Sequence, residues 1–393
     1  MTGKPENEPR LSVAHRQGDA VSPLELFFDL VFVLAITQCS ALMAHDPTWR
    51  GLAHGLVVLG LLWWSWVGYA WLTSVVDPDD SSVRLVLFIA MAALLVCSLA
   101  VPHAFENLGV TFAIAYGVVR AAHIALFVLA SRDDVGLRHS VVGLAISTAF
   151  AVALLLVGSA LHGDARLATW AAALAFDMAG PLFIDTSGWR LVPGHFAERH
   201  GLIVIVALGE SIVAIGVGAE AGIDAGIVVA AVLGVAVAGA LWWMYFDTTA
   251  LAAARQLGEV EDIKARNELA RDAFSYLHLP MVAGIVLLAL GMKTTLHGVG
   301  HSLSWEATAA LVGGPALYVF AQVAFKRRVL TTLSVQRLVA ATVLVLFIPL
   351  AHLAAAVIAL AVVAVVLWSL LVYETVRFAD ARRAVRNARV RPH

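Results

Sequence analysis

Apolar segments of about 20 residues recur along the whole chain between short polar loops, and a segment of that length crosses a bilayer as one helix. Hydrophobic residues make up 61% of the 393 residues and charged residues 14%, whereas a soluble domain has roughly 45–50% and about 25%. We therefore predict an all-α polytopic membrane helix bundle of about twelve spans. The expected spans are residues 24–44, 52–75, 83–102, 108–130, 139–161, 166–186, 198–218, 225–247, 272–292, 305–325, 334–353 and 355–377.

Several classes of protein are not indicated by the composition. The formal net charge is −2, so no overall positive field favours a nucleic-acid partner. Cys39 and Cys97 both lie in apolar runs, and no Cys/His spacing typical of a metal site is present. We therefore expect no metal, no cofactor and no recognisable catalytic group.

The basic residues are distributed unevenly between alternate loops. Apart from Arg120, which lies within a span, only Arg50, Arg166 and Lys293 fall in the loops opposite to the N-terminus. Because cytoplasmic loops of membrane proteins carry the excess of Lys and Arg, we predict that both termini are cytoplasmic.

The two halves of the chain resemble each other, which predicts two six-span parallel repeats related by an axis along the membrane normal. Chance similarity between apolar helices is the alternative. The expected division is a cytoplasmic polar leader (1–21), a first repeat (22–190), a second repeat (191–378) and a basic cytoplasmic tail (379–393). The matched landmarks are Glu25 with Glu198, LWWSWVGY (62–69) with LWWMYFD (241–247), Arg84 with Arg271, and Tyr116-xxx-Arg120 with Tyr318-xxx-Gln322.

A cluster of charges is expected at the cytoplasmic depth of the membrane. Glu25 and Asp29 are four residues apart in SPLELFFDLVFVLAITQ (22–38), so a helix places both on one face. We expect Asp29 to pair with Arg84 or Arg271. This cluster is consistent with two roles. It could be a set of salt bridges that fixes the ends of helices, or it could form a cytoplasmic gate or ion mouth. Its expected members are Glu25, Asp29, Arg84, Asp185, Glu198, Asp247 and Arg271.

Charges nearer to mid-bilayer mark the candidate transport or binding site. Arg120 and Glu210 each lie deep within a span, where an ionised side chain is costly and usually faces the bundle interior. We predict that they pair with each other, with Asp177 as the competing partner of Arg120. Under the repeat, Thr37 would be the counterpart of Glu210. His123, one turn from Arg120, and Ser211 complete the candidate set, and packing is the alternative role for each.

Three classes of function remain open at this stage. A secondary transporter or ion-conducting protein is favoured by the buried charges and the apparent repeat. An intramembrane enzyme acting on a lipid or isoprenoid would use Ser211 and His123, although no nucleophile elbow or metal motif supports it. The third class is a membrane protein without turnover.

Three other segments carry expectations about the membrane and its surface. The aromatic run WWSWVGYAW (63–71) predicts an interfacial belt, and a stacking platform for a ligand is the alternative. The alternating charges of 252–272 predict a helical extension with a solvated face. The tail FADARRAVRNARVRPH (378–393) predicts binding to anionic lipid headgroups, with a contribution of about 1 kcal/mol for each Arg near the surface.

Two long motifs resemble the bacterial low-temperature-requirement A (LtrA) family: SPLELFFDLVFVLAITQ and, at 195–216, HFAERHGLIVIVALGESIVAIG. The resemblance implies a multi-pass protein of the bacterial inner membrane that supports growth in the cold, without implying a biochemical activity. LELFFDLVFVLAIT is also similar to the first-helix motif of the endosomal and lysosomal potassium-channel family, which Phe27 and Asp29 match. The second half departs from that motif, because Gly201 and Leu202 stand where its Phe and acid are expected.

Overall fold

The computed structural model describes residue 16 and residues 18–132, 134–184, 188–218 and 222–388, and every regular element in these residues is helical. A 3₁₀ turn spans Val101–His103, and π-helical segments span Ala270–Tyr276 and Ala309–Gly313. The α-helices are α1 Pro23–His45, α2 Trp49–Val75, α3 Ser81–Ala100, α4 Gly109–Ala130, α5 Val135–Ser159, α6 Gly163–Phe183, α7 Pro193–Gly218, α8 Ala225–Phe246, α9 Thr249–Glu259, α10 Ile263–Leu269, α11 His278–Leu296, α12 Trp305–Thr308, α13 Gly314–Leu330, α14 Val335–Leu353, α15 Ala356–Arg377 and α16 Ala379–Ala388.

The start of α1 is encoded by the residues SPLE. The Ser22 hydroxyl accepts a hydrogen bond from the Glu25 backbone N–H, and the Glu25 carboxylate accepts one from the Ser22 backbone N–H at 2.9 Å. This capping box satisfies two backbone donors that the first turn would otherwise leave free. Pro23 at the first helical position has no N–H to lose there. One acid of the opening motif therefore has a local structural role.

Eleven helical segments of the described residues are long and apolar enough to cross a membrane. They match every expected span except the sixth, which was expected at 166–186. A helix of 21 residues, α6, does occupy this region, but Asp164, Arg166 and Asp177 make it more polar than the other eleven. The break between the last two spans, expected near His352, lies at Ala354 and Ala355, between α14 and α15.

The outer surface of the bundle is apolar. Leu30, Leu346 and Val365 are 64%, 73% and 64% exposed, and many other large aliphatic side chains on the long helices are also exposed. A soluble protein rarely exposes contiguous apolar surface on this scale. Together with the eleven apolar helices, these faces identify an integral membrane protein.

The aromatic run of α2 lies in the core. Trp63, Trp66 and Tyr69 are 0% exposed, so the prediction of an interfacial belt for this run is wrong. The reason is that the polar atoms of these rings find buried partners. The Trp63 indole donates to the Ser275 carbonyl at 2.9 Å, and the Trp66 indole donates to the Asp29 carboxylate at 2.8 Å. A buried indole with a hydrogen-bond acceptor needs no contact with water.

Small residues bring α11 and α13 into backbone contact. A Cβ placed on Gly284 would lie 2.5 Å from the Gly314 carbonyl oxygen, and one on Gly314 would lie 2.6 Å from the Gly284 carbonyl oxygen. Only glycine fits at this reciprocal contact, which is the way small residues promote helix packing in membranes.

The polar stretch 252–272 is helical, as predicted, but it is not only a solvated extension. It includes most of α9 and all of α10, and α9 packs against α7 and α13. Ala253 and Leu257 of α9 are fully buried. This helix therefore belongs to the bundle, with its charged residues on the remaining faces.

Candidate functional site

The first turn of α1 is joined to α7 by a buried group of charges, which we name the Glu25 network: Arg16, Glu25, Asp29, His195 and Arg199. The Glu25 carboxylate lies 2.8 Å from His195 Nε2, 3.2 Å from Arg199 Nη1 and 3.1 Å from Arg16 Nη1. Glu25, His195 and Arg199 are at most 1% exposed. Two carboxylates face two guanidinium groups, so the network is electrically balanced when His195 is neutral.

The charged partner of Asp29 is Arg199, which lies on α7. Arg199 Nη2 donates to Asp29 Oδ1 at 3.1 Å, and the same guanidinium donates to the Thr73 hydroxyl of α2. The expected pairing of Asp29 with Arg84 or Arg271 is therefore wrong. Arg84 instead pairs with Asp79 at the surface, at 3.2 Å. Arg271 pairs with Asp272 at 2.8 Å.

The remaining members of the expected cytoplasmic cluster do not join the Glu25 network. Glu198 is exposed, although it directly precedes Arg199. Asp247 pairs with Arg382 at 2.8 Å and with Arg386 at 3.5 Å, both on α16. Asp185 lies outside the described residues. The single expected cluster is thus several separate groups of charges.

Arg120 pairs with Asp177, not with Glu210. The two groups approach to 3.1 Å, and both side chains are 1% exposed. Arg120 also donates to the Thr148 hydroxyl at 2.7 Å, which links α4, α5 and α6. The prediction of an Arg120–Glu210 pair is wrong, and the competing partner named from the sequence is the one observed. Because α6 carries Asp177 alongside the middle of α4, no charge of this pair is left uncompensated.

His123 and Ser211 differ in their surroundings. The Ser211 hydroxyl donates to the Leu208 carbonyl of its own helix at 2.6 Å, which is a packing role. His123 is 1% exposed and lies against the Gly68 backbone, and at least one of its ring nitrogens has no hydrogen-bond partner in the described structure. Of the two, only His123 keeps an unused polar atom.

Glu210 is held by hydroxyl groups from α1, and we name Glu210, Thr37 and Ser40 the Glu210 site. The Ser40 hydroxyl donates to the carboxylate at 2.7 Å, and the Thr37 hydroxyl also donates to it. Glu210 is 2% exposed. Among the described residues no Lys, Arg or His forms an ion pair with it, although Lys293 is close enough to act on it electrostatically.

A cavity of about 510 Å³ lies at the end of the bundle where α1 and α11 finish. Its lining includes Ala41, which follows Ser40 of the Glu210 site, and Lys293 of α11. His45, His297 and Glu306 add polar groups to its walls. Glu210, Thr37 and Ser40 do not line the cavity themselves, and its wall reaches α1 one residue beyond Ser40. Among the described residues, no group of three or more His, Cys, Asp or Glu could hold a metal ion.

The comparisons with known proteins agree with the motifs. The family model of the bacterial low temperature requirement A protein (LtrA) matches residues 20–372. The chain belongs to this family. An uncharacterized protein, RA0937, of Rhizobium meliloti (strain 1021) is 29% identical over 321 residues, covering 77% of this chain and 76% of the relative. No solved structure matches the chain.

This LtrA-family protein also has a buried polar group that the sequence analysis did not single out. Arg337 of α14 donates to the Glu374 carboxylate of α15 at 2.8 and 2.9 Å, and to the Gln322 side chain of α13. Arg337 is 3% exposed and Glu374 is 5% exposed. The only sequence signal was a Glu and an Arg within otherwise apolar helices, 37 residues apart.

Proposed function

We propose that this protein is a secondary transporter or ion-conducting protein in which Glu210 takes up and releases a proton or a cation. The observation that carries the proposal is a buried carboxylate that only hydroxyl groups stabilise directly. Ionisable groups inside a membrane are costly, so a carboxylate without an ion-pair partner is a functional candidate. A proton or a cation is the ligand that would complete its surroundings.

The position of Glu210 supports transport. It lies on α7, in the second half of the chain, and its hydroxyl partners lie on α1, in the first half. Sites at the junction of two halves suit alternating access, in which one half moves relative to the other. The nearby 510 Å³ cavity offers a route towards one side of the membrane.

We further propose that the two halves, residues 22–190 and 191–378, are parallel six-span repeats. Two observations support this. In each half a buried Arg joins the last three long helices: Arg120 does so with Thr148 and Asp177, and Arg337 with Gln322 and Glu374. In addition, Thr37 and Glu210, which the repeat makes counterparts, hydrogen-bond to each other, as residues near a two-fold axis do.

Flux measurements in proteoliposomes test the role of Glu210. A trapped pH-sensitive dye reports proton movement, and imposed Na⁺ or K⁺ gradients test cation coupling. Glu210→Gln keeps the size of the side chain and can still accept from one hydroxyl, so we expect a folded protein without coupled flux. Glu198→Gln is the matched control, because Glu198 is an exposed glutamate on the same helix as Glu210. This variant should transport normally. Normal flux through Glu210→Gln would refute the assignment.

Both termini are proposed to face the cytoplasm, which requires α6 to cross the membrane as a twelfth span. Its polar residues have buried partners: Asp177 pairs with Arg120, and Arg166 donates to the Ala104 and Glu106 carbonyls. A reporter that is active only outside the cytoplasm, fused after Arg391, should be silent. A strong signal would mean that α6 does not cross.

The basic tail is proposed to contact anionic lipid headgroups in the inner membrane. In the described part of the tail, Arg382 and Arg386 pair with Asp247, which fixes α16 against the end of α8. Arg383 points away, with its side chain 67% exposed. Residues 389–393 lie outside the described structure, and their two arginines would add to this surface charge.

A further inference from the structure

A second cavity, of about 60 Å³, lies where the first half of the chain meets the π-helical segment Ala270–Tyr276. Its walls come from α2, α4, α5, α6 and this segment. Single-turn π insertions are frequent at functional sites. The residues that matter for its chemistry are Trp64, Trp71, Arg120, His123, Trp189 and Arg271.

Among the described residues, several nitrogen atoms of these lining side chains are buried without a partner. They are Arg120 Nε, Trp189 Nε1 and at least one ring nitrogen of His123, whose ring lies against the Gly68 backbone. Arg120 and His123 are 1% exposed, and Trp189 is 8% exposed. A guanidinium and an indole N–H can only donate, and a neutral imidazole has one donor and one acceptor. The cavity therefore has an excess of donors, and buried polar atoms of this kind are normally satisfied.

The charges around the cavity favour a ligand with a single negative charge. Asp177 neutralises Arg120 at 3.1 Å. Asp272, by contrast, is shared by Arg271 at 2.8 Å and Arg328 at 2.9 Å. Among the described residues, one carboxylate between two guanidinium groups leaves one positive charge, and Arg271 carries it to the wall of the cavity. The indole rings of Trp64 and Trp71 offer an apolar surface to the rest of a ligand.

We propose that this cavity binds a short monocarboxylate, of the size of propionate. A cavity of about 60 Å³ admits a ligand of about four to six non-hydrogen atoms. The carboxylate would accept from Arg120, His123 and Trp189, and its short apolar chain would contact the indoles. The inference deepens the proposed function, on which it rests, by naming the substrate class that a coupled ion would accompany.

Binding can be measured without transport. Trp64, Trp71 and Trp189 line the cavity, so titration of the purified full-length protein in detergent with propionate should change the tryptophan fluorescence saturably. Calorimetry provides the second readout. Propionamide, which has the same shape without the charge, should bind at least about tenfold more weakly, because a hydrogen bond to a charged group contributes about 1.5–3 kcal/mol.

Two matched pairs of variants locate the site. Arg271→Gln should weaken propionate binding by about tenfold or more. Arg84→Gln, which removes a guanidinium paired with Asp79 at the surface and outside the lining of the cavity, should leave binding unchanged. His123→Phe should weaken binding similarly. His54→Phe should not, since His54 also has an unpartnered ring nitrogen but stacks on Phe105 away from the cavity.

The outcomes separate this inference from the proposed function. Saturable binding that both matched pairs localise supports the monocarboxylate site, even if Glu210→Gln still transports and the role of Glu210 fails. A folded wild-type protein that gives no saturable response to propionate overturns the inference and leaves water as the occupant. Equal binding of propionamide, or equal effects within each pair, also overturns it.

Discussion

Glu25 and Glu210 are both buried glutamates at contacts between α1 and α7, yet their surroundings are opposite. Glu25 meets Arg16, His195 and Arg199. Glu210 meets only the hydroxyls of Thr37 and Ser40 directly. The difference separates two uses of a buried acid. A carboxylate saturated with cationic partners fixes the positions of helices, whereas we propose that the one held by neutral donors exchanges a proton or a cation.

The largest effect is expected from Arg199→Met. Asp29 would lose its charged partner, and Glu25 would lose one of its guanidinium groups. Breaking a buried ion pair by removing one partner typically costs about 3–5 kcal/mol of folding free energy. We expect a large fall in the apparent melting temperature in detergent and a low yield of folded protein.

Arg84→Met is the control for this variant, because Arg84 has a surface ion pair with a half-exposed side chain. Surface pairs contribute about 0–1 kcal/mol, so its melting temperature should stay close to that of the wild type. Equal stability of the Arg199 and Arg84 variants would show that the Glu25 network does not hold α1 to α7.

A smaller effect is expected from Thr37→Val, which removes one hydroxyl donor from Glu210 and keeps the shape of the side chain. Leaving a buried acceptor unsatisfied costs about 1–3 kcal/mol. In the Glu210→Gln background the same change should cost less, since a neutral amide loses less than a carboxylate. A double-mutant cycle on the melting free energies measures this coupling. Additive effects would mean that the hydroxyl does not stabilise the charge of Glu210.

The sequence predicted the spans and the burial of Arg120, Asp177 and Glu210 better than the partners of these charges. Apolar length alone locates the helices, and the capping residues around Ser22 mark the start of α1. The sequence analysis placed Glu198 in the charge cluster and left out its neighbour Arg199. Successive helix residues point about 100° apart, so Glu198 faces out and Arg199 faces in. Which acid meets Arg120 depends on the packing of α4 against α6, and no local pattern encodes that choice between Asp177 and Glu210.

The aromatic run of α2 was misplaced for a related reason. Trp and Tyr favour both interfaces and cores that offer an acceptor, and the acceptors of Trp63 and Trp66 come from Ser275 and Asp29. Ser275 lies 212 residues away from Trp63 along the chain. Such contacts become visible only when the helices are assembled.

The Glu25 network also has a mechanical consequence. Glu25 caps the first turn of α1 and, through His195 and Arg199, grips the start of α7, so the two helices are clamped together at that end. About eighteen ångströms further along α1, at 1.5 Å per residue, the described polar contacts of α1 with Glu210 of α7 come from the neutral hydroxyls of Thr37 and Ser40. Two helices joined by ion pairs at one end and by neutral hydrogen bonds at the other separate more easily at the neutral end. Under the proposed function, the charged end would act as the pivot between the two helices, and the gain or loss of a proton at Glu210 would set the strength of the contact at the other end.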